Sequence, residues 1–261
     1  MDKAEGGCTS IGISSDAGKN GDAFLAHNWD WKPSQRESMV IMKIRQKNGK
    51  PDIFMVTEAG IIGKTGYNSA GLCLYLNALS TDQAPKGLPL HIAMRGILDY
   101  TTLAEAIAAA VRFRLGCCAN FMIGHRNGEC VDIEIENEEF DVLYPKDGIL
   151  VHTNHFISPL LPIRPRQDTC KRKFTDTFVR LGRADKLIRK KGHDISEEDI
   201  MEILRDHVEY PSGICRHEDV NQPEGKRMGT VFSMIVNLTQ GNIYYCKGNP
   251  CEMDYKIYTL S

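Results

Sequence analysis

Short stretches rich in β-branched and aromatic residues, each long enough for one strand, recur along this chain and are interrupted twice by a pair of helical patterns. That order constrains the fold more than any other feature. The first group is "DAFLAHNWDW", "MVIMKIRQ" and "DIFMVTEAG", with the turn "KNGKP" between the last two; "GLCLYLNAL" follows the turn "YNSAG". The spacing predicts an antiparallel meander. "HIAMRGILDY" and "TTLAEAIAAAVRF" then read as helices, the second opened by a Thr102-x-x-Glu105 capping box. Strands return in "ANFMIGH", "CVDIEIE", "FDVLYP" and "ILVHTNH". The chain is basic and helical from Arg164 to Gly192, and Ser196 to Val208 is a further helix with a Ser196-x-x-Asp199 start and Pro211 as its stop. "GTVFSMIVNLT", "NIYYCKG" and "YKIYTLS" close the chain as three strands, with "QGN" as a hairpin-like turn. With no repeat, low-complexity tract or linker, the pattern predicts one α+β domain with antiparallel sheets and helices on the outside.

A length of 261 residues is enough to bury a substantial core. The net charge of −2 gives no global reason to expect nucleic acid or a membrane surface as partner. The longest apolar runs, such as Ala106 to Val111, fall far short of the roughly 20 residues that cross a bilayer. "MDKAEGG" lacks the apolar core of a secretory signal, so a cytoplasmic location is expected. Nine cysteines, an odd count without an export signal, read as free thiols in a reducing compartment. No Cys-x-x-Cys pair is present, and neither zinc nor another cofactor is expected. With a cytoplasmic location expected, the "NLT" sequon at Asn237 carries no weight.

Cys8, in "EGGCTSIG", sits between paired glycines and two hydroxyl residues. The plain reading is a small buried hydrophobe. Gly6 and Gly7 argue for another, because they allow a sharp, unhindered backbone where a thiolate could attack the carbonyl just before it. Such an attack would cut the chain between Gly7 and Cys8. The new α-amine, with a pKa near 8, would then lie beside a thiol of pKa near 8.5 and serve as its general base.

"GCTS", "HNWDW", "TEAGIIGKTGYNSAG", "YLNAL", "VHTNHF" and "YPSGICR", in this order, resemble the acyl-coenzyme A:6-aminopenicillanic acid acyltransferase (isopenicillin N acyltransferase) family, self-cleaving cysteine N-terminal nucleophile hydrolases. The resemblance runs from Gly7 to beyond Arg216 and implies a four-layer αββα sandwich, two antiparallel sheets between helical layers. It implies Cys8 as nucleophile and Gly7–Cys8 as the cleavage site. Asp30 matches an acidic residue near the new amine, where a carboxylate can hold an ammonium. Asn154 matches the side-chain donor of the oxyanion hole, a task an amide performs without titrating. Arg216 matches an arginine near the nucleophile, a permanent cation that favours the thiolate. Asn77 resembles the second oxyanion contact of the bile-salt hydrolases. Each has a plainer reading: Asp30 as a turn cap, Asn77 as a strand-end residue, Arg216 as a surface ion pair. His152 and His155 flank Asn154 and suggest a Cys–His dyad, but an amine-activated cysteine needs no imidazole, and histidines ending a strand are often satisfied polar groups.

The activity implied is cleavage or transfer of an acyl group from a small amide or an acyl-coenzyme A thioester through a Cys8 acyl-enzyme. The alternatives are a hydrolase of small amides, of the bile-salt or β-alanyl-amine type, and a silent interaction module of the same fold. The basic segment from Arg164 could hold the phosphates of coenzyme A or nucleic acid. The interspersed Asp168, Asp176 and Asp185 and the few aromatics favour a solvated helix face. Family precursors carry a longer segment before the nucleophile, which becomes a separate α-chain. Residues 1–7 are therefore expected to be a remnant ending at the cleavage site, residues 8–261 the catalytic domain, and the cleaved α-chain a further partner. "YTLS" is not a peroxisomal tripeptide, which again points to the cytoplasm.

Overall fold

In the computed structural model, residues 7–82, 86–161 and 167–260 are described. Their strands are β1 (Gly7–Ile13), β2 (Phe24–Trp31), β3 (Met39–Ile44), β4 (Ile53–Glu58), β5 (Thr65–Asn68), β6 (Leu72–Ala78), β7 (Ala119–His125), β8 (Cys130–Glu136), β9 (Glu139–Leu143), β10 (Ile149–His152), β11 (Gly229–Asn237), β12 (Asn242–Lys247) and β13 (Lys256–Tyr258). The α-helices are α1 (Leu90–Ile97), α2 (Leu103–Arg112), α3 (Thr169–Lys173), α4 (Asp176–Lys191) and α5 (Glu197–Leu204). One sheet runs β10-β1-β2-β11-β12-β13 and the other β3 to β9 in sequence order, every pairing antiparallel.

The two sheets pack face to face over a core that includes Leu25, Phe54, Tyr75, Met122 and Phe232. Helices α1 and α2 cover the outer face of the seven-stranded sheet through Met94, Ile97, Ala106 and Ala110. Helices α4 and α5 cover the six-stranded sheet through Ala184, Ile188, Ile200 and Ile203. This is the expected four-layer αββα sandwich. The capping boxes form at both sites read from the sequence, Thr102 with Glu105 and Ser196 with Asp199. Among the described residues no helix is long and apolar enough to cross a membrane.

The structure departs from the sequence reading in four places. Strands β1 and β5 carry no strong strand pattern; β1 forms because all seven of its residues pair with β2. The helix expected from Arg164 begins only at Thr169 among the described residues and breaks at Phe174 and Thr175 into α3 and α4, with Asp168 capping the first. Helix α5 stops at Leu204, well before Pro211, because Asn28 Nδ2 takes the Leu204 carbonyl at 2.9 Å. Finally, the basic segment is not wholly a solvated face, since Arg180 is 1% exposed. Residues 1–6 of the expected remnant lie outside the described residues, and Gly7 opens β1.

Candidate active site

Alternation along β1 sorts its side chains. Ile11 and Ile13 face the helices, and Thr9 Oγ1 receives a hydrogen bond from Arg180 on α4. Cys8 and Ser10 face the space between the sheets. Cys8 is 3% exposed and lies opposite Trp29 of β2.

The main chain at Cys8 is where the ladder ends. β10 pairs with β1 from Ser10 to Ile13 and goes no further, so the N–H and C=O of Cys8 lack strand partners on that side. Side chains replace them: Cys8 N donates to Asn154 Oδ1 at 2.7 Å, and Arg180 Nη1 donates to the Cys8 carbonyl at 2.5 Å. Because a backbone N–H can only donate, it fixes which end of the Asn154 amide faces it. Asn154 Nδ2 donates to the Ala78 carbonyl at 3.1 Å, and the Asn154 backbone N–H to Thr177 Oγ1 at 2.9 Å.

A chain of alternating charges runs outward from this point. Arg180 donates through Nη2 to Asn154 Oδ1 at 3.0 Å and through Nε to Asp176 Oδ2 at 2.9 Å. Asp176 also accepts from Arg216 Nη2, and Arg216 Nε donates to Asp30 Oδ2 at 3.4 Å. Asp30 Oδ1 accepts from Thr230 Oγ1 at 2.8 Å. Two arginines and two carboxylates therefore neutralise one another in a site where single charges would be costly. Gly7 fits against this chain because it has no side chain: a Cβ there would lie 2.8 Å from Asp30 Oδ2 and 3.2 Å from Arg216 Nε.

Burial, followed by the Asp30 carboxylate, pushes the Cys8 thiol up to about 11, against the Ala78 amide, Arg180 and Asn154. With the chain intact the sulfur keeps its proton. Burial also raises Asp30, with Arg216, Arg180 and Thr230 opposing it. Burial would raise Asp176 too, but the two arginines outweigh it and hold that carboxyl below its ordinary value.

The fold thus brings Cys8, Asp30, Asn154 and Arg216 into one connected network. Asn77 lies beside it: its Oδ1 accepts from Ser10 Oγ at 2.7 Å and Asn120 Nδ2 at 3.3 Å, while its Nδ2 reaches the His152 carbonyl at 3.4 Å. The two flanking histidines have partners of their own. His152 Nε2 lies 2.8 Å from Glu134 Oε1, and His155 Nδ1 lies 2.9 Å from Thr177 Oγ1.

Two features were not singled out from the sequence. Arg180 and Asp176 stand in a stretch crowded with charges, where nothing marks which arginine turns inward. Lys64 and Glu58, both within the quoted motif "TEAGIIGKTGYNSAG", form a buried pair at 2.7 Å, and the Lys64 ammonium sits 3.3 Å from the Trp29 ring centroid. Burial lowers the Lys64 pKa; the Glu58 carboxylate and the nearby Cys8 sulfur oppose that shift, which sets a second cation within electrostatic reach of the cysteine. A cleft of about 380 Å³ leads to the network, with Asp176 and Arg216 in its wall beside Lys173, Phe174, Lys226 and Arg227.

The sequence profile of the acyl-coenzyme A:6-aminopenicillanic acid acyl-transferase family matches residues 17–252. The 40 kDa form of the acyl-coenzyme A:6-aminopenicillanic-acid-acyltransferase of Emericella nidulans is 32% identical over 237 residues, 90% of this chain and 62% of that protein's length. Solved structures share the fold at low identity. A conjugated bile acid hydrolase from Clostridium perfringens superposes with a TM-score of 0.64 at 14% identity, covering 97% of both chains. A penicillin V acylase from Agrobacterium tumefaciens gives 0.62 at 13%, covering 92% of this chain and 83% of that one. A Caenorhabditis elegans orthologue of N-acylethanolamine-hydrolyzing acid amidase gives 0.61 at 18%, covering 89% and 93%.

Proposed function

The chain belongs to the acyl-coenzyme A:6-aminopenicillanic acid acyl-transferase family, and on that premise we propose that it is a self-processing cysteine N-terminal nucleophile enzyme. It would cleave or transfer the acyl group of a small amide or an acyl-coenzyme A thioester through a Cys8 acyl-enzyme. The observation that carries this reading is the grip on the Cys8 main chain. Its nitrogen rests on Asn154 Oδ1 and its carbonyl on Arg180, with Gly7 wedged against Asp30 and Arg216.

In processing, the Cys8 sulfur attacks the Gly7 carbonyl carbon and the Gly7–Cys8 C–N bond breaks, leaving a thioester on sulfur and a free amine on Cys8. Water then hydrolyses the thioester and releases everything up to Gly7. The amine appears at the nitrogen that Asn154 already holds. Asp30 lies next to the departed Gly7, where its carboxylate can accept from an ammonium. With a pKa near 8, the amine takes the thiol proton that burial withholds from solvent, and later returns it to the leaving group.

Substrate enters the space Gly7 vacates, between Cys8 and the Asp30–Arg216 pair. Asn154 can serve two ends of the reaction, with Oδ1 on the amine and Nδ2 turned to a developing oxyanion. Asn77 Nδ2, held by a long 3.4 Å bond, supplies the second donor. Lys173, Lys226 and Arg227 in the cleft suit an anionic substrate such as the phosphates of coenzyme A. None of these steps calls for a metal or redox cofactor. The free cysteines suit a reducing, cytoplasmic compartment, and no nucleic acid or membrane partner is invoked.

Intact-mass measurement of the protein beside a Cys8→Ala variant tests the reading. Loss of everything up to Gly7 in the wild type alone is the expected result, and an uncut wild type would sink it. Supplying the processed protein with acyl-coenzyme A and an amine acceptor then separates transfer from hydrolysis, in which water is the sole acceptor.

A further inference from the structure

Next to Arg216 in the chain, with His217 in the wall of the same cleft, four side chains converge that the proposed chemistry does not use. His207 Nε2 lies 3.1 Å from His217 Nε2, Cys215 Sγ lies 3.7 Å and Cys251 Sγ 3.3 Å from the same His217 nitrogen, and the two sulfurs are 3.4 Å apart. All four donor atoms fall within 4.8 Å of one another. For a tetrahedral zinc ion with Zn–S near 2.3 Å and Zn–N near 2.05 Å, the edges of the tetrahedron are about 3.8 Å between sulfurs, about 3.3 Å between nitrogens and about 3.6 Å between sulfur and nitrogen. The four separations among His217, Cys215, Cys251 and the His207–His217 pair match these to within about 0.4 Å, and those from His207 to the sulfurs stay within 4.8 Å. Two imidazole nitrogens facing each other across 3.1 Å beside two thiols are a poor hydrogen-bonding set and a good ligand set.

We propose that His207, Cys215, His217 and Cys251 form a structural zinc site of the Cys₂His₂ type. Binding Zn²⁺ displaces the two thiol protons to solvent and places two thiolates and two neutral imidazoles on the metal. The surroundings fit. His217 Nδ1, the nitrogen turned away from the cluster, lies 3.5 Å from Glu252 Oε1, a carboxylate placed to fix the ligating tautomer. Asn249 Nδ2 lies 3.4 Å from Cys215 Sγ, a donor suited to a thiolate. Four protein ligands leave no open position, so the ion holds structure and does no chemistry.

What it holds is the segment that carries Arg216. Cys215 and His217 bracket that arginine, His207 comes from the same loop after α5 and Cys251 from the loop after β12, so the metal would reinforce the Arg205 Nε–Pro250 carbonyl and Asn249 Nδ2–Arg216 carbonyl bonds that already join the two loops. The ligands arrive as a Cys-x-His pair, a histidine a little upstream on the same loop and a cysteine from the loop after β12, a spacing that a search for Cys-x-x-Cys does not detect. The site stands independently of the catalytic reading, since none of its four ligands touches Cys8.

The test is metal content and cobalt spectroscopy. Wild-type protein purified under reductant should carry about one zinc per chain, and replacement by Co²⁺ should give the intense visible bands of a tetrahedral thiolate complex. Cys251→Ser and His207→Asn, both at exposed positions, should lose the bands or weaken them severely. They should also lose the rise in melting temperature that zinc gives the wild type. Wild type that binds neither Zn²⁺ nor Co²⁺, bands that survive in both variants, or a Cys215–Cys251 disulfide persisting under reductant would each overturn the proposal.

Discussion

Arg180 shows what a single buried side chain does when a strand runs out. Its guanidinium spreads three donors over the Cys8 carbonyl, Asn154 and Asp176, a fork that lysine's single ammonium cannot reproduce. Arg180→Met leaves Asp176 with one cation fewer and the Cys8 carbonyl without its side-chain partner. It should cost about 3–5 kcal/mol in urea denaturation, the range for breaking a buried ion pair. Arg180→Lys keeps the charge and loses the fork, and should cost about 1–3 kcal/mol. Both should slow Gly7–Cys8 cleavage; a variant that unfolds at the wild-type denaturant midpoint would show that the network adds nothing to stability.

At the scale of elements, the site depends on how α5 and the segment after it are tied to β2. Asn28 Nδ2 donates to the carbonyls of both Leu204 and Ile214, each at 2.9 Å, stapling the end of α5 and the approach to Arg216 onto one strand residue. Asn28→Ala strands two buried carbonyls and should cost about 2–6 kcal/mol at roughly 1–3 per unsatisfied group. Circular dichroism melting would register this as a lowered midpoint; an unchanged midpoint would mean that the staple is redundant. These ties also mark what the sequence could reveal. The layer order and the capping boxes were legible because strand periodicity and cap chemistry are local signals, while the grouping of Cys8, Asp30, Asn154 and Arg216 came from the family resemblance that the quoted motifs carry. Arg180, Asn28 and the end of α5 were not, because each depends on a partner from a distant segment; so does β1, whose pattern is weak and whose pairing is strong.

Taken whole, the molecule buries charge and titratable groups between and behind its sheets, and that links its stability to pH. His27 lies in the inter-sheet layer, stacked on Tyr75 with ring centroids 5.1 Å apart and its Nδ1 2.8 Å from Ser10 Oγ. Burial, then Lys64, lowers its pKa from 6.5 to about 3. An unfolded chain takes up this proton as pH falls below about 6.5, whereas the folded chain refuses it until about 3. Stability should therefore drop across that window, by up to about 1.4 kcal/mol per pH unit for this one group. His27→Gln should flatten the dependence by up to one proton when urea unfolding is followed through the window; an unchanged slope would assign the effect to other groups. The same layered construction has a consequence for Cys8. New chain ends ordinarily fray, yet here the end would be created inside a finished sheet, opposite Trp29 on one flank and clasped by Asn154 and Arg180 on the other. Cutting before Cys8 gives up the Gly7–Asp30 pairing but leaves the Trp29, Asn154 and Arg180 contacts of Cys8 in place, so the catalyst would inherit its terminus already docked.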